Sequence, residues 1–168
     1  MNSNTEHPLS NLDLVPLNPT DPEASNATTA SMHEYCHEFD VRDYECDMAQ
    51  VVNNAAYFNY LEHARHGLLK TVGISFGGMA RRGISLVVTR IEADFKSSLV
   101  SGDKFIVRTS MTRKGRLRLQ FNQRIFRLSD DQLMLSALVT ATALNERGRP
   151  EIHPDLERAF NSLNLANS

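Results

Sequence analysis

V-R-D-Y-E-C-D-M-A-Q-V-V-N-N-A-A-Y-F-N-Y-L-E-H-A-R, Val41 to Arg65, changes character half-way along. Its first part reads as extended chain and passes an acid at Asp47. Its second part reads as helix. Asn53 and Asn54 stand where that helix begins, and Asn is a preferred N-cap because its side-chain oxygen accepts a free backbone N–H. Beyond them Tyr57, Tyr60, Leu61, Ala64 and Leu68 recur at three- and four-residue steps and make one apolar face. Gly67 interrupts the run and weakens its last turn. A helix reaching Val72 would be roughly 27 Å long, enough to be the central element of a small domain. A carboxylate then lies one short loop before a helix start, where free N–H groups and the positive dipole end favour developing negative charge. Oxyanion chemistry needs that arrangement.

The chain on either side is consistent with one mixed domain. Tyr35 to Glu45 is expected to be the first strand, carried by Phe39, Val41 and Tyr44. Gly73 ends the helix, and Phe76 to Arg82 forms a loop or a short second helix. In the next strand Ile84, Leu86 and Val88 alternate, then parity switches to Ile91, Ala93 and Phe95, which predicts a bulge near Thr89. Phe105 to Met111 is a further strand, turned at Lys114-Gly115 into one in which Leu117, Leu119, Phe121 and Ile125 share a face. Leu133 to Leu144 closes the series, and Leu156 to Leu165 reads as a short C-terminal helix. The predicted class is α+β, with an antiparallel five-stranded sheet wrapped around one long central helix.

At 168 residues one domain is expected. The boundaries fall at a polar tail over 1–32, a domain over 33–150 and an extension over 151–168. The tail, rich in Pro, Asn, Ser and Thr, cannot bury enough apolar surface to order itself. It is acidic, the reverse of an organelle leader, and is not read as one. Residues 1–41 hold seven acids and no Lys or Arg, so the rest carries all 18 basic residues against 13 of the 20 acids, a formal surplus of five. That surplus suits an anionic ligand or an acidic partner. There is no basic stripe interleaved with aromatics to suggest nucleic acid, and no apolar run long enough for a membrane helix. Cys36 and Cys46, if both lie on the first strand, are roughly 33 Å apart, beyond disulfide reach. Free thiols point to the cytoplasm or, in a eukaryote, an organelle stroma.

D-x-x-x-V-V-N-N-A-x-Y-x-x-Y-x-E-x-A-R, together with S-G-D-K-F-I-V at Ser101 to Val107 and N-E-R-G-R-P at Asn145 to Pro150, resembles single-hotdog-fold thioesterases of the 4-hydroxybenzoyl-CoA thioesterase type, and among them the small acyl thioesterases of plants and cyanobacteria. The resemblance covers roughly residues 38–150. It implies a hotdog fold, hydrolysis of an acyl-CoA or acyl-carrier thioester without cofactor or metal, and a homodimer or homotetramer whose sites draw on two subunits. It places the catalytic acid at Asp47, as general base or nucleophile. The oxyanion donors expected on physical grounds are the N–H groups of Val52, Asn53 and Asn54, Asn54 first. Met48, Tyr57, Tyr60, Leu61 and Phe76 are candidates for an acyl pocket, with plain core as the competing reading. Arg113, Lys114, Arg116 and Arg118 are candidates for binding CoA phosphates or an acidic carrier, with solvated surface as the alternative.

The sequence also departs from the family. Gln50-Val51 replaces a Gly-His often found there, which removes a candidate imidazole. Glu62 matches the acid of the E-x-A-R element, and some hotdog thioesterases carry their carboxylate on this helix; a Glu62–Arg65 pair is the structural alternative. His63 and His66, three apart, lack the further ligands a metal site needs. Two other readings compete with hydrolysis: a hydratase or dehydratase, which would want the missing His, and a non-catalytic acyl-CoA sensor, which would not need Asp47.

Overall fold

The computed structural model describes residues 34–165; the expected tail lies outside them. Five strands, β1 (Tyr35–Asp40), β2 (Ser85–Phe95), β3 (Lys104–Lys114), β4 (Arg118–Arg127) and β5 (Leu133–Leu144), pair antiparallel in the order β1-β3-β4-β5-β2. The central helix α1 (Asn54–Thr71) lies against the inner face. A six-residue helix α2 (Phe76–Arg81) follows it, and α3 (Pro154–Leu165) ends the described chain.

Periodicity located most of these elements. The β2 parity switch is a register shift between Val88 and Arg90, so Thr89 is the extra residue. Gly115 turns the β3–β4 hairpin at φ 64, a conformation open to glycine at no steric cost. Two expectations need correction. The first strand stops at Asp40, because the Arg42 N–H donates to Glu45 Oε2 (2.8 Å) and rolls residues 43–45 into a short 3-10 turn. Cys36 and Cys46 therefore do not share a strand, and the extended spacing assumed for them does not hold. Leu117, at the hairpin, is 44% exposed and has left the core face.

Inside the sheet, α1 divides the core in two. Its first turns bury Tyr57, Tyr60, Leu61 and Ala64 against Phe105, Val107, Ile125 and Leu135. Its last turns bury Leu68 and Leu69 with Phe121, Val139, Ala141 and, from α3, Leu156 and Ala159. Between them is a polar layer: Arg65 Nη1 donates to Gln123 Oε1 (2.9 Å), and Gln123 Nε2 donates to the Leu61 carbonyl (2.9 Å) and Thr109 Oγ1 (3.0 Å). Arg65 thus points inward and does not pair with Glu62.

Gly67, the weak point of the helical pattern, has a packing reason. A Cβ there would come within 2.7 Å of a ring carbon of the buried Tyr35. Overpacking at about 1–3 kcal/mol outweighs the ~1 kcal/mol an alanine gains in helix propensity. Gly67→Ala should therefore lower stability to urea, and should raise it in a Tyr35→Leu background.

Beside Tyr35, His37 Nδ1 lies 3.0 Å from the Tyr35 hydroxyl, and its ring faces His63 (4.8 Å) and Phe39 (4.6 Å). Burial first, then His63, holds its pKa below the ordinary 6.5. Folding thus favours neutral His37: its contribution is complete above the unfolded value and is lost as pH falls through the lower folded value. Melting temperature should drop as pH is lowered from 7 towards 5, and His37→Gln should flatten that slope.

Candidate active site

Asp47 opens a tight turn. Its N–H donates to the Val51 carbonyl (2.9 Å), its carbonyl accepts from Gln50 N–H (2.9 Å), and Cys46 and Val52 pair as a bridge behind it. The side chain is part of the same turn, since Oδ1 accepts from Ala49 N–H (2.8 Å). Its second oxygen has no partner among the described residues, and the residue is exposed. Gln50 carries the turn's strain at φ 61, where glycine is favoured; this is the position at which the resembled family often has Gly.

The turn is anchored to α1 and to the chain beyond β2. Val52 N–H donates to the Leu99 carbonyl (2.9 Å), Val51 bridges Val100, and Asn53 N–H donates to the Glu45 carbonyl (2.9 Å). Leu99 N–H donates to Tyr57 Oη (2.9 Å) and Tyr60 Oη donates to Glu45 Oε2 (2.7 Å). Burial and the Glu45 carboxylate push the Tyr60 hydroxyl pKa far above its ordinary range, so it remains a donor. Asn53 is the N-cap, its side chain accepting from Ala55 N–H (2.9 Å).

These bonds sort the expected oxyanion donors. The N–H groups of Val52 and Asn53 are already engaged. Asn54, the first residue of the helix, has no intrahelical acceptor for its N–H and stands at the positive dipole end.

The expected acyl-pocket residues are dispersed. Met48 projects wholly into solvent, while Tyr57, Tyr60 and Leu61 are core, the first two with their hydroxyls spent on the loop frame. Only Phe76 borders the apolar groove that does exist, about 330 Å³ between α1, α2 and β2, which also meets Glu62, Arg65, Leu86, Val88 and Ile91. A larger cleft of about 550 Å³ crosses the β1 edge past His37, His63 and Lys104, with charged walls. Asp47 lines neither, so in the single chain the acid and the groove are separate. His63 and His66 diverge, one onto His37 and the other onto Phe76.

The basic hairpin is not beside Asp47 either. β3 starts at Lys104, just past Asp103, whose N–H donates to the carbonyl of Val100, the bridge partner of Val51 in the Asp47 turn. It runs to Lys114, ten steps or about 33 Å away. Arg113 is also occupied there: its guanidinium pairs with Glu157 (3.1 Å) and donates to the carbonyls of Gly115 and Arg116. Lys114, Arg116 and Arg118 are exposed.

Sequence reasoning missed Glu45, Leu99 and Gln123, because their partners lie 15, 42 and 58 positions away and leave no local pattern. Since Tyr60→Phe would deprive a nearly buried carboxylate of a donor, it should cost about 1–3 kcal/mol in urea unfolding with helix content retained.

The family model described as the Thioesterase-like superfamily matches residues 41–160, from the Asp47 loop through β2 to β5 and into α3. This chain belongs to that superfamily. It is 40% identical over 113 residues to the chloroplastic acyl-acyl carrier protein thioesterase ATL3 of Arabidopsis thaliana, a match covering 67% of this chain and 60% of that protein. With ATL2 of the same plant, also described as a chloroplastic acyl-acyl carrier protein thioesterase, the identity is 37% over 123 residues, covering 73% and 65%. The chain thus spans less than two thirds of the length of either relative. The crystal structure of the DHNA-CoA thioesterase from Staphylococcus aureus shares the fold, with TM-score 0.73 at 24% identity over 80% of this chain and 93% of that one. The hotdog architecture expected of a superfamily member is the one observed.

Proposed function

We propose that this protein hydrolyses acyl thioesters held on acyl carrier protein or CoA, releasing the free acid and the thiol. The observation that carries the reading is the pairing of Asp47, one oxygen fixed in its turn and the other unengaged, with a helix start whose Asn54 N–H is unspent. Asp47 takes a proton from water as that water attacks the carbonyl, or attacks the carbonyl itself to give an acyl anhydride that water then opens. In either route the oxyanion forms against Asn54 N–H and the α1 dipole, the C–S bond breaks and the thiolate leaves, taking up the proton that water releases. Water is the only co-reactant, so no cofactor or metal is required. The names of the two plant relatives support the carrier form of the substrate.

The separation of acid and groove is resolved by a second copy. Among the described residues β2 bonds only to β5, leaving an eleven-residue edge open, and its helix-facing Val88, Ile91 and Phe95 are 44%, 38% and 44% exposed. Pairing of two β2 edges about a twofold axis covers these residues and closes the groove, while the Asp47 loop is tied to the chain just beyond β2 at Leu99 and Val100. The assembly is a homodimer, which can pair again into a tetramer. The chloroplastic relatives support an organelle stroma as the place of action, with the cytoplasm as the alternative. No helix among the described residues is long and apolar enough to cross a membrane.

Glu62 offers a second reading of the acid, because it borders the groove and Asp47 does not. The activity itself is tested by thiol release from acyl-CoA and acyl-carrier substrates of graded chain length. Turnover supports hydrolysis. Tight binding without turnover would make the protein a sensor, and reversible hydration of an enoyl thioester without thiol release would make it a hydratase.

A further inference from the structure

The end of the molecule opposite the Asp47 loop gathers six exposed cations. Lys114 pairs with Arg118 across the β3–β4 hairpin, and Arg118 lies against Thr142 near the end of β5. The Leu144–Pro150 bridge folds the turn bearing Arg147 and Arg149 onto the same end. Gly83 packs so closely on Glu146 that a side chain there would collide with it, which brings in the end of α2 and Arg81. Arg116 completes the set.

None of the six is within ion-pair distance of a carboxylate among the described residues, and the nearby acids are committed elsewhere. Asp155 pairs with Arg82 and Arg158, Glu157 with Arg113, and Glu151 accepts from Asn145. Glu146 alone is left facing six positive charges. A concentration of unpaired like charge attracts a partner of opposite sign and steers its approach.

We propose that this patch docks an acidic carrier protein and serves the Asp47 of the neighbouring subunit, not that of its own chain. The inference rests on the carrier-thioester reading and on the β2-paired dimer. Distance decides between the two subunits. The patch and its own Asp47 are separated by about the length of β3, ~33 Å. A carrier's phosphopantetheine arm has the chain atoms of roughly five residues and reaches ~17 Å at full extension. Antiparallel pairing of two β2 strands sets the Ser85 end of one beside the Phe95 end of the other. Arg81, Arg147 and Arg149 belong to that Ser85 end, and Arg118, on β4, is three strand spacings or ~14 Å from the partner's β2.

Mixed dimers test this. One subunit carries Asp47→Asn with its patch intact; the other keeps Asp47 but has Lys114→Glu, Arg116→Glu and Arg118→Glu. On acyl-carrier substrate both parent homodimers should fail, the charge-reversed one through a KM raised at least about tenfold, since the reversed charges repel the acidic carrier. The purified heterodimer should recover about half the wild-type kcat at near wild-type KM, because one site has both an acid and a partner's patch. A heterodimer no better than its parents would overturn docking in trans. A charge-reversed homodimer with wild-type KM for acyl carrier would overturn the docking surface, and one impaired only on acyl-CoA would assign the patch to nucleotide phosphates instead. Absence of dimers by sedimentation would also refute the proposal. Wild-type failure on an acyl-pantetheine thioester, which has no carrier, would instead refute hydrolysis, so the two failures are distinguishable.

Discussion

Asp47→Asn should reduce kcat for thioester hydrolysis by about 10²–10⁴-fold, the range spanned by loss of a positioned general base. Loss of a nucleophile would fall at the upper end. The substitution is well suited to the site because Asp47 does two jobs through different oxygens. Oδ1 closes the turn by accepting from Ala49 N–H, and an asparagine amide oxygen accepts that bond equally well. Only the unengaged carboxylate oxygen is lost. Thermal stability and far-UV circular dichroism should therefore match the wild type, and KM should change little. A large fall in stability would mean that the residue holds the turn and nothing more.

Ile91→Asp should yield a monomer with kcat/KM down by more than about a hundredfold. Ile91 is inward-facing yet 38% exposed, because nothing among the described residues covers that part of β2. The isolated subunit should tolerate a carboxylate there. Across a twofold axis the same position returns on the partner, so two unpaired charges would be buried close together. That costs several kcal/mol, and each ~1.4 kcal/mol is tenfold in dimer dissociation. Sedimentation at micromolar concentration reads the assembly directly. If the variant is monomeric but fully active, the site is complete in one chain.

The sequence showed the fold more clearly than the site, for physical reasons. Element types follow from local periodicity, and here the signals are strong: α1 from its apolar face and its Asn53 cap, the β2 bulge from a change of parity, the hairpin from Gly115. Residue roles depend on long-range contacts that periodicity does not encode. Tyr57 and Tyr60 fit an apolar helix face whether they line a tunnel or, as observed, bury their rings and aim their hydroxyls at Leu99 and Glu45. Arg65 lies three residues from Glu62 and invites a surface pair, yet Gln123, 58 positions on, draws it inward. The basic hairpin was visible as a cluster, but only the β3 register shows that it lies a strand length from Asp47. Unspent N–H groups are likewise invisible to pattern: of three consecutive candidates, the backbone leaves Asn54 alone.

Single-turnover thiol release from one acyl-carrier substrate, compared between Asp47→Asn and Glu62→Gln, tests most directly where the chemistry resides. The expected result is a rate at least about a hundredfold lower for Asp47→Asn, with Glu62→Gln within a few-fold of wild type. The opposite order, with Glu62→Gln inert and Asp47→Asn active, would contradict the account and move catalysis to the central helix.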